Sequence, residues 1–438
     1  MKTDAIPLFR RSDHGNGIFF ILVLLGLSAF FHPIQAQFVK GADIGWLSQM
    51  EATGYKFYDT TGVEANCLQI LQDHGINATR LRVWVNPSND NINGHCSKKE
   101  VVAMALRARE KGMRVMIDFH YSDSWADPGK QNKPAAWVGH SFSQLLTDVY
   151  THTFTVLDTL KSCGVTPAWV QVGNEITGGM LWPEGSTANW FQLAQLLNKG
   201  YDAVKAVDSS IRVVIHVDQG QDNARCRTFF DNASAQGVKY DIIGLSYYPY
   251  WIGTDYTATI AGLGNNLDDM VSRYGKEVMV VETGGDYTLV QNTYDMLVAV
   301  IETVKAVPGG KGLGVIYWEP EGAKSWSGYQ LGCWGADGKP TAALKAFLTN
   351  ASGIDSKDML SGTRIYPNPC KDGLIRVDFT GEKGPIEIQV FDLAGRLVGQ
   401  QKLAPSFKGQ LAFSLKPGIY LVMAYARKVM MIEKLVVT

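Results

Sequence analysis

The sequence has no surplus of charge of either sign, with 41 Lys and Arg against 42 Asp and Glu in 438 residues. That removes the basic face a nucleic-acid partner requires and leaves an uncharged ligand as the simpler expectation. Metal-ligand spacing is missing too: the six cysteines, Cys67, Cys96, Cys163, Cys226, Cys333 and Cys370, are scattered along the chain in no zinc pattern. No glycine-rich loop leads into a helix through Lys and Ser or Thr, which excludes a phosphate cradle. No lysine closes a strand-like run, which argues against Schiff-base chemistry. Neither a metal nor a cofactor is expected. Nor does any apolar run reach the roughly 20 residues that a membrane-spanning helix needs. The run "IFFILVLLGLSAFF", residues 18–31, follows Lys2, Arg10 and Arg11 and precedes the small Ala36, so 1–36 reads as a secretory signal peptide. An exported chain can form disulfides, and Cys67 with Cys96 is the local pair to weigh against free buried thiols.

What is present is a rhythm. Eight short β-branched runs recur, "GADIGW", "ATRLRVWV", "RVMIDFHY", "AWVQVGNEI", "RVVIHVD", "YDIIGLSYYP", "VMVVETG" and "LGVIYWEP". Segments with apolar residues three and four apart, such as "SKKEVVAMALRAREKG", lie between them and predict helices. Gly75, Gly112 and Gly164 fall where left-handed C-caps are wanted. Alternating β and α units predict a (β/α)8 TIM barrel over 37–350. After a linker at 351–362 the texture changes to alternating strands and turns, and 363–438 reads as a small all-β sandwich.

In such a barrel the active site lies at the C-terminal ends of the strands. The polar residues there are Asp43 on strand 1, Arg80, Arg82 and Trp84 on strand 2 and His120 on strand 3. Asn174 and Glu175 end strand 4, His216 strand 5, Tyr247 strand 6, Glu282 strand 7 and Trp318 strand 8. Each taken singly is more often a cap, an ion pair or a core residue. Two carboxylates from different strands of one cavity say more, because glycosidic cleavage needs one protonated carboxyl and one ionised one. Tyr247 and Arg80 are placed to hold Glu282 charged, Asn174 to grip a sugar hydroxyl, and Trp318 to carry a sugar face. Trp125, Trp182, Trp251, Trp326 and Trp334 lie in loops at the mouth, about half of them expected to line the cleft.

The order Arg80, His120, Asn174 with Glu175, His216, Tyr247, Glu282 and Trp318 resembles the clan A retaining glycoside hydrolases. Within that clan, "GADIGW", "TRLRVWVNP", "DFHYSDSWADPGKQNKPAAW", "VQVGNEITGGMLWPEG" and "ETGGDYT" resemble family 53, the arabinogalactan endo-β-1,4-galactanases. The resemblance implies Glu175 as acid/base, Glu282 as nucleophile and the β-1,4-galactan or arabinogalactan side chains of pectin as substrate. A mannanase or cellulase of the same clan, or a glycan-binding barrel without activity, is the alternative. Calcium, held by some bacterial members in an acidic insertion after the nucleophile strand, is not expected, since "ETGGDYTLVQNTYDML" has no such run. "YPNP", "VFDLAGRLV" and "LKPGIYLV" resemble the sorting domain of the type IX secretion system of Bacteroidetes. That implies the secretion machinery as partner and a secreted or cell-surface destination reached through the periplasm; a generic spacer or carbohydrate-binding sandwich is the alternative. A monomer is expected.

Overall fold

The computed structural model describes residues 37–349, 365–379, 385–392, 396–426 and 429–438. The segments expected as signal peptide, 1–36, and linker, 351–362, lie outside the described residues. Eight parallel strands close into a barrel: β1 (Val39–Asp43), β2 (Ala78–Val83), β3 (Arg114–Phe119), β4 (Trp169–Val172), β5 (Arg212–Val217), β6 (Ile242–Tyr247), β7 (Glu277–Thr283) and β8 (Gly312–Trp318). β8 pairs back onto β1, with Asp43 level with Trp318.

The connecting helices form for readable reasons. Ser97 and Glu100 make a reciprocal capping box at the start of Lys98–Glu110, and Ser141 with Gln144 does the same for Phe142–Ser162, satisfying amides the first turn leaves unpaired. Gly75, Gly112 and Gly164 all take positive φ, as their positions predict. At Gly75 a Cβ would also approach the carbonyl oxygen of Phe347 to 2.6 Å.

Side-chain alternation divides the barrel into two apolar regions. One residue from each strand, and two from β7, fills the barrel interior: Val39, Ala78, Met116, Trp169, Val214, Ile242, Met279 and Val281, and Ile316. Residues of opposite parity, such as Ile117, Val170, Ile215 and Leu245, join the larger cluster shared with the helices. Moving up from the inner plug in steps of two leads to Arg80, Asp118, Gln171, His216 and Trp318. This parity lifts the site residues onto one face, above a floor that excludes water.

The C-terminal region has two antiparallel sheets built from β9 (Ile365–Tyr366), β10 (Leu374–Asp378), β11 (Ile386–Asp392), β12 (Leu397–Leu403), β13 (Lys408–Ala412), β14 (Gly418–Ala426) and β15 (Val429–Val437). Their orders are β13-β10-β9 and β12-β11-β14-β15. β11 shows the cause: Ile386, Ile388 and Val390 are buried while Glu387 and Gln389 are less so, the period of a strand with one face on a core. Ile375, Val377 and Phe379 join the same core.

Candidate active site

Arg80 organises the centre. Fully buried, it reaches Asp43 through Nη1 at 2.6 Å and Asp118 and Glu282 through Nη2 at 2.8 and 2.9 Å. Nη2 also donates to Asn174 Oδ1 at 2.8 Å. Gln171 stitches the next layer, donating to Asp118 Oδ1 at 2.6 Å and to Asn174 Oδ1 at 3.1 Å. His120 sits between Asp118 Oδ2 at 2.9 Å and the Ala126 amide at 3.0 Å. These groups leave the guanidinium enclosed by acceptors, as a buried charge requires.

Glu175 and Glu282 face each other across the cleft. One side-chain oxygen of each, with one ring nitrogen of His216, lies within 4.8 Å of the others. Such a trio has the composition of a cation site, but both nitrogens of His216 already face hydrogen-bond partners, Asn174 and Ser246. Glu282 is 5% exposed and takes a long hydrogen bond from Tyr248 at 3.4 Å as well as the contact with Arg80. Glu175 keeps an edge toward the cleft and accepts from Ser246 Oγ at 2.6 Å. Burial is the main cause that raises both carboxyls; at Glu175 the Ser246 hydrogen bond opposes it and the charge of Asp218 adds to it, and at Glu282 Arg80 opposes it and the charge of Glu175 adds to it. Arg80 lies in contact with Glu282 and favours its negative charge, while Glu175, which accepts from the neutral Ser246 hydroxyl, is pushed up to about 7.

Glu175 also breaks a backbone rule. It stands at φ 46°, ψ 50°, just beyond β4, in the left-handed region that a side chain with a Cβ rarely adopts. This turn aims the carboxyl into the cleft, and strain of this kind collects at functional positions. Glu175→Gly should relieve it and remove a desolvated carboxyl, raising barrel stability by about 1–2 kcal/mol while activity is lost. Thermal unfolding monitored by near-UV circular dichroism checks this, and a lower midpoint would contradict it.

The cleft itself, about 510 Å³, is lined by Glu175, Asp218, Ser246, Trp251, Glu282 and Trp318, among others. Trp318 is held edge-on by Tyr329 at 4.7 Å and Trp46 at 5.0 Å between ring centres. Trp251, 60% exposed, stands in the cleft wall. Of the other mouth tryptophans, Trp125 leans on Trp84 and Trp318, Trp326 donates to Thr53, Trp334 is buried against Phe57, and Trp182 donates to Gly178.

Behind the cleft, Arg82 is buried among four indoles, 4.4 Å from the Trp125 ring centre, 5.5 Å from Trp84, 5.6 Å from Trp46 and 6.0 Å from Trp318. Its Nη1 also pairs with Glu319. Trp84 is therefore a packing residue with no exposed surface, and Asp43 acts through Arg80 and Arg82.

One sequence expectation is corrected. Tyr247 does not reach Glu282: its hydroxyl meets Thr259 at 2.9 Å on the helix side. Alternation along β6 from the inner Ile242 carries Ser246 and then Tyr248 inward and Tyr247 outward, and a register irregularity on β7, at Val281, sets Ser246 beside Glu282 in the ladder. Of the two readings weighed for Cys67 and Cys96, the structure takes the free thiols: all six cysteines are free, and only Cys163 is exposed. Asp118, Gln171, Ser246, Tyr248 and Glu319 were not expected in the site. The parity signal, two residues beyond an inner apolar residue, would have found Asp118, Gln171 and, two steps on from Ile242, Ser246.

Known proteins are similar to this chain in sequence and fold. Residues 39–359 match the model of glycosyl hydrolase family 53. An endo-beta-1,4-galactanase of Bacillus subtilis (strain 168) is 34% identical over 386 residues, 82% of this chain and 86% of that protein. An arabinogalactan endo-beta-1,4-galactanase of Thermothelomyces thermophilus is 33% identical over 305 residues, 64% of this chain and 89% of that protein. Among solved structures, the Ignisphaera aggregans GH53 catalytic domain superposes with a TM-score of 0.66 at 32% identity, covering 71% of this chain and 95% of that one. Residues 364–438 match a secretion system C-terminal sorting domain, which marks the chain for export, to the medium or the cell surface. With the match spanning the whole barrel and both carboxylates in place, the chain belongs to glycosyl hydrolase family 53.

Proposed function

We propose that the protein is a retaining endo-β-1,4-galactanase, with Glu282 as nucleophile and Glu175 as acid/base. The observation that carries this reading is the pair of opposed carboxylates with oxygens within 4.8 Å. Retaining enzymes place the two groups roughly 5–5.5 Å apart, whereas inverting ones need about 6.5–9.5 Å to admit a water. Ionised Glu282, held by Arg80, attacks the anomeric carbon while Glu175 gives its proton to the departing O4 of the galactan chain. A water then enters from the vacated side; Glu175, now a carboxylate, takes its proton, and the bond to Glu282 breaks with a second inversion, so the β configuration is kept. Trp318 carries an apolar sugar face beside this centre. The domain reading follows: 37–350 performs the reaction and 363–438 addresses the chain to the secretion machinery.

Linear β-1,4-galactan should be cut internally to short galactooligosaccharides, while mannan and cellulose are cleaved at least about 100-fold more slowly. A time course of product sizes by anion-exchange chromatography tests both parts. Comparable rates on mannan would overturn the substrate assignment, and release of only the terminal unit would overturn the endo mode.

A further inference from the structure

Ser246 is buried, 1% exposed, and its Oγ lies 2.6 Å from Glu175 Oε1 and 2.7 Å from His216 Nε2. A hydroxyl has one proton, and here two groups can accept it. The far side of the imidazole decides which tautomer it holds. Nδ1 is 3.0 Å from Asn174 Oδ1, an oxygen that already accepts from Arg80 and Gln171, so Nδ1 carries the ring proton and Nε2 is bare. The Glu175 amide approaches the same Nδ1 only at 3.3 Å, and the shorter contact prevails. Burial, then the charge of Arg80, keeps the ring neutral, so His216 takes no part as an acid.

Resting on the assignment of Glu175 as acid/base, we infer that Ser246 is a positioning residue whose hydroxyl turns between His216 and Glu175 as Glu175 changes protonation state. When Glu175 is ionised, its oxygen is the stronger acceptor, because a hydrogen bond to a charged group is roughly twice as strong as a neutral one. The hydroxyl then points to Glu175 and stabilises the base needed for the second step. When Glu175 is protonated, the hydroxyl swings to His216 Nε2 and offers its lone pair to Glu175. No proton leaves the pair; one O–H bond rotates. A single serine thereby has a satisfied hydrogen bond in both halves of the cycle, and its larger effect is on the carboxylate. Around Glu175, Asp218 from the end of β5 and Asp127 from the loop after β3 oppose ionisation, as does Glu282 from β7, while Arg80 from β2 and the Ser246 hydroxyl favour it.

The sign follows. Removing the hydroxyl takes a donor away from the carboxylate, so Glu175 holds its proton to higher pH. The wild-type kcat/KM on galactan should fall as pH rises through about 7. In Ser246→Ala this alkaline limb should move up by roughly one pH unit, and breakdown of the glycosyl-enzyme should slow about tenfold. Formation of the intermediate from a dinitrophenyl β-galactobioside should be nearly unchanged, because that leaving group needs no proton, so a pre-steady-state burst should appear. Ser246→Thr, which restores a hydroxyl, should return the limb toward wild type, and circular dichroism should show both variants folded. An unmoved limb in a folded Ser246→Ala with wild-type breakdown of the intermediate would overturn the inference, as would an equal loss at every pH in both variants. Activity on galactan in the wild type, with azide rescue of Glu175→Ala, separates these outcomes from failure of the acid/base assignment itself.

Discussion

Glu282→Ala should abolish glycosyl transfer, on galactan and on activated aryl galactosides alike, with a loss of roughly 100,000-fold in kcat. The nucleophile must attack whatever the leaving group is, so no improvement in the leaving group compensates for it. Arg80 makes the loss specific to the side chain's chemistry. It contacts Asp43, Asp118 and Glu282 at 2.6–2.9 Å, and two carboxylates remain around it when Glu282 is removed. The variant should therefore fold, with thermal stability equal to or above that of the wild type because one desolvated carboxyl is gone. Azide added to this variant would attack the substrate directly and give at most the α-galactosyl azide. Residual activity within tenfold of the wild type would remove Glu282 from the mechanism.

Glu175→Ala should behave differently, and the difference depends on the substrate. On galactan the departing oxygen is a sugar alkoxide that needs a proton, so kcat should fall by about 100- to 10,000-fold. On a dinitrophenyl galactoside the first step should persist while the second, deprived of its base, stalls, and the glycosyl-enzyme should accumulate. Azide needs no deprotonation; it should restore turnover and yield the β-galactosyl azide. The opposite pair of azide products would exchange the roles of Glu175 and Glu282, and near-normal activity in both variants would refute the two-carboxylate account.

The barrel was legible because its signals are local. Strand runs, helix periods and the glycines after helices each act within a few residues. The two glutamates stood out because they close two different strands of one cavity; either alone is more often a cap or an ion-pair partner. Tyr247 was misread although strand parity separates it from Tyr248: alternation from the inner Ile242 turns Tyr247 toward the helices, whereas the extra residue on β7 that brings Glu282 level with Ser246 is fixed by pairing with β6 rather than by residues nearby in sequence. Ser246 was overlooked because, although its parity points it inward, a serine in a strand carries no chemical signal until its neighbours across the barrel, Glu175 and His216, are known. Arg82 pairs with Asp43 and Glu319 inside the barrel; that its guanidinium is surrounded by four indoles depends on segments brought together from the ends of β1, β2, β3 and β8. Side chains whose role arises from long-range closure are the ones a linear reading leaves out.

The account rests above all on a covalent bond to Glu282. Inactivation with a 2-deoxy-2-fluoro-β-galactobiosyl fluoride slows both steps but keeps a good leaving group, so the intermediate can be digested with protease and mapped by mass spectrometry. The expected result is a single fluoroglycosyl ester on Glu282. A label on Glu175, or turnover of galactan to products of inverted configuration with no adduct at all, would contradict it.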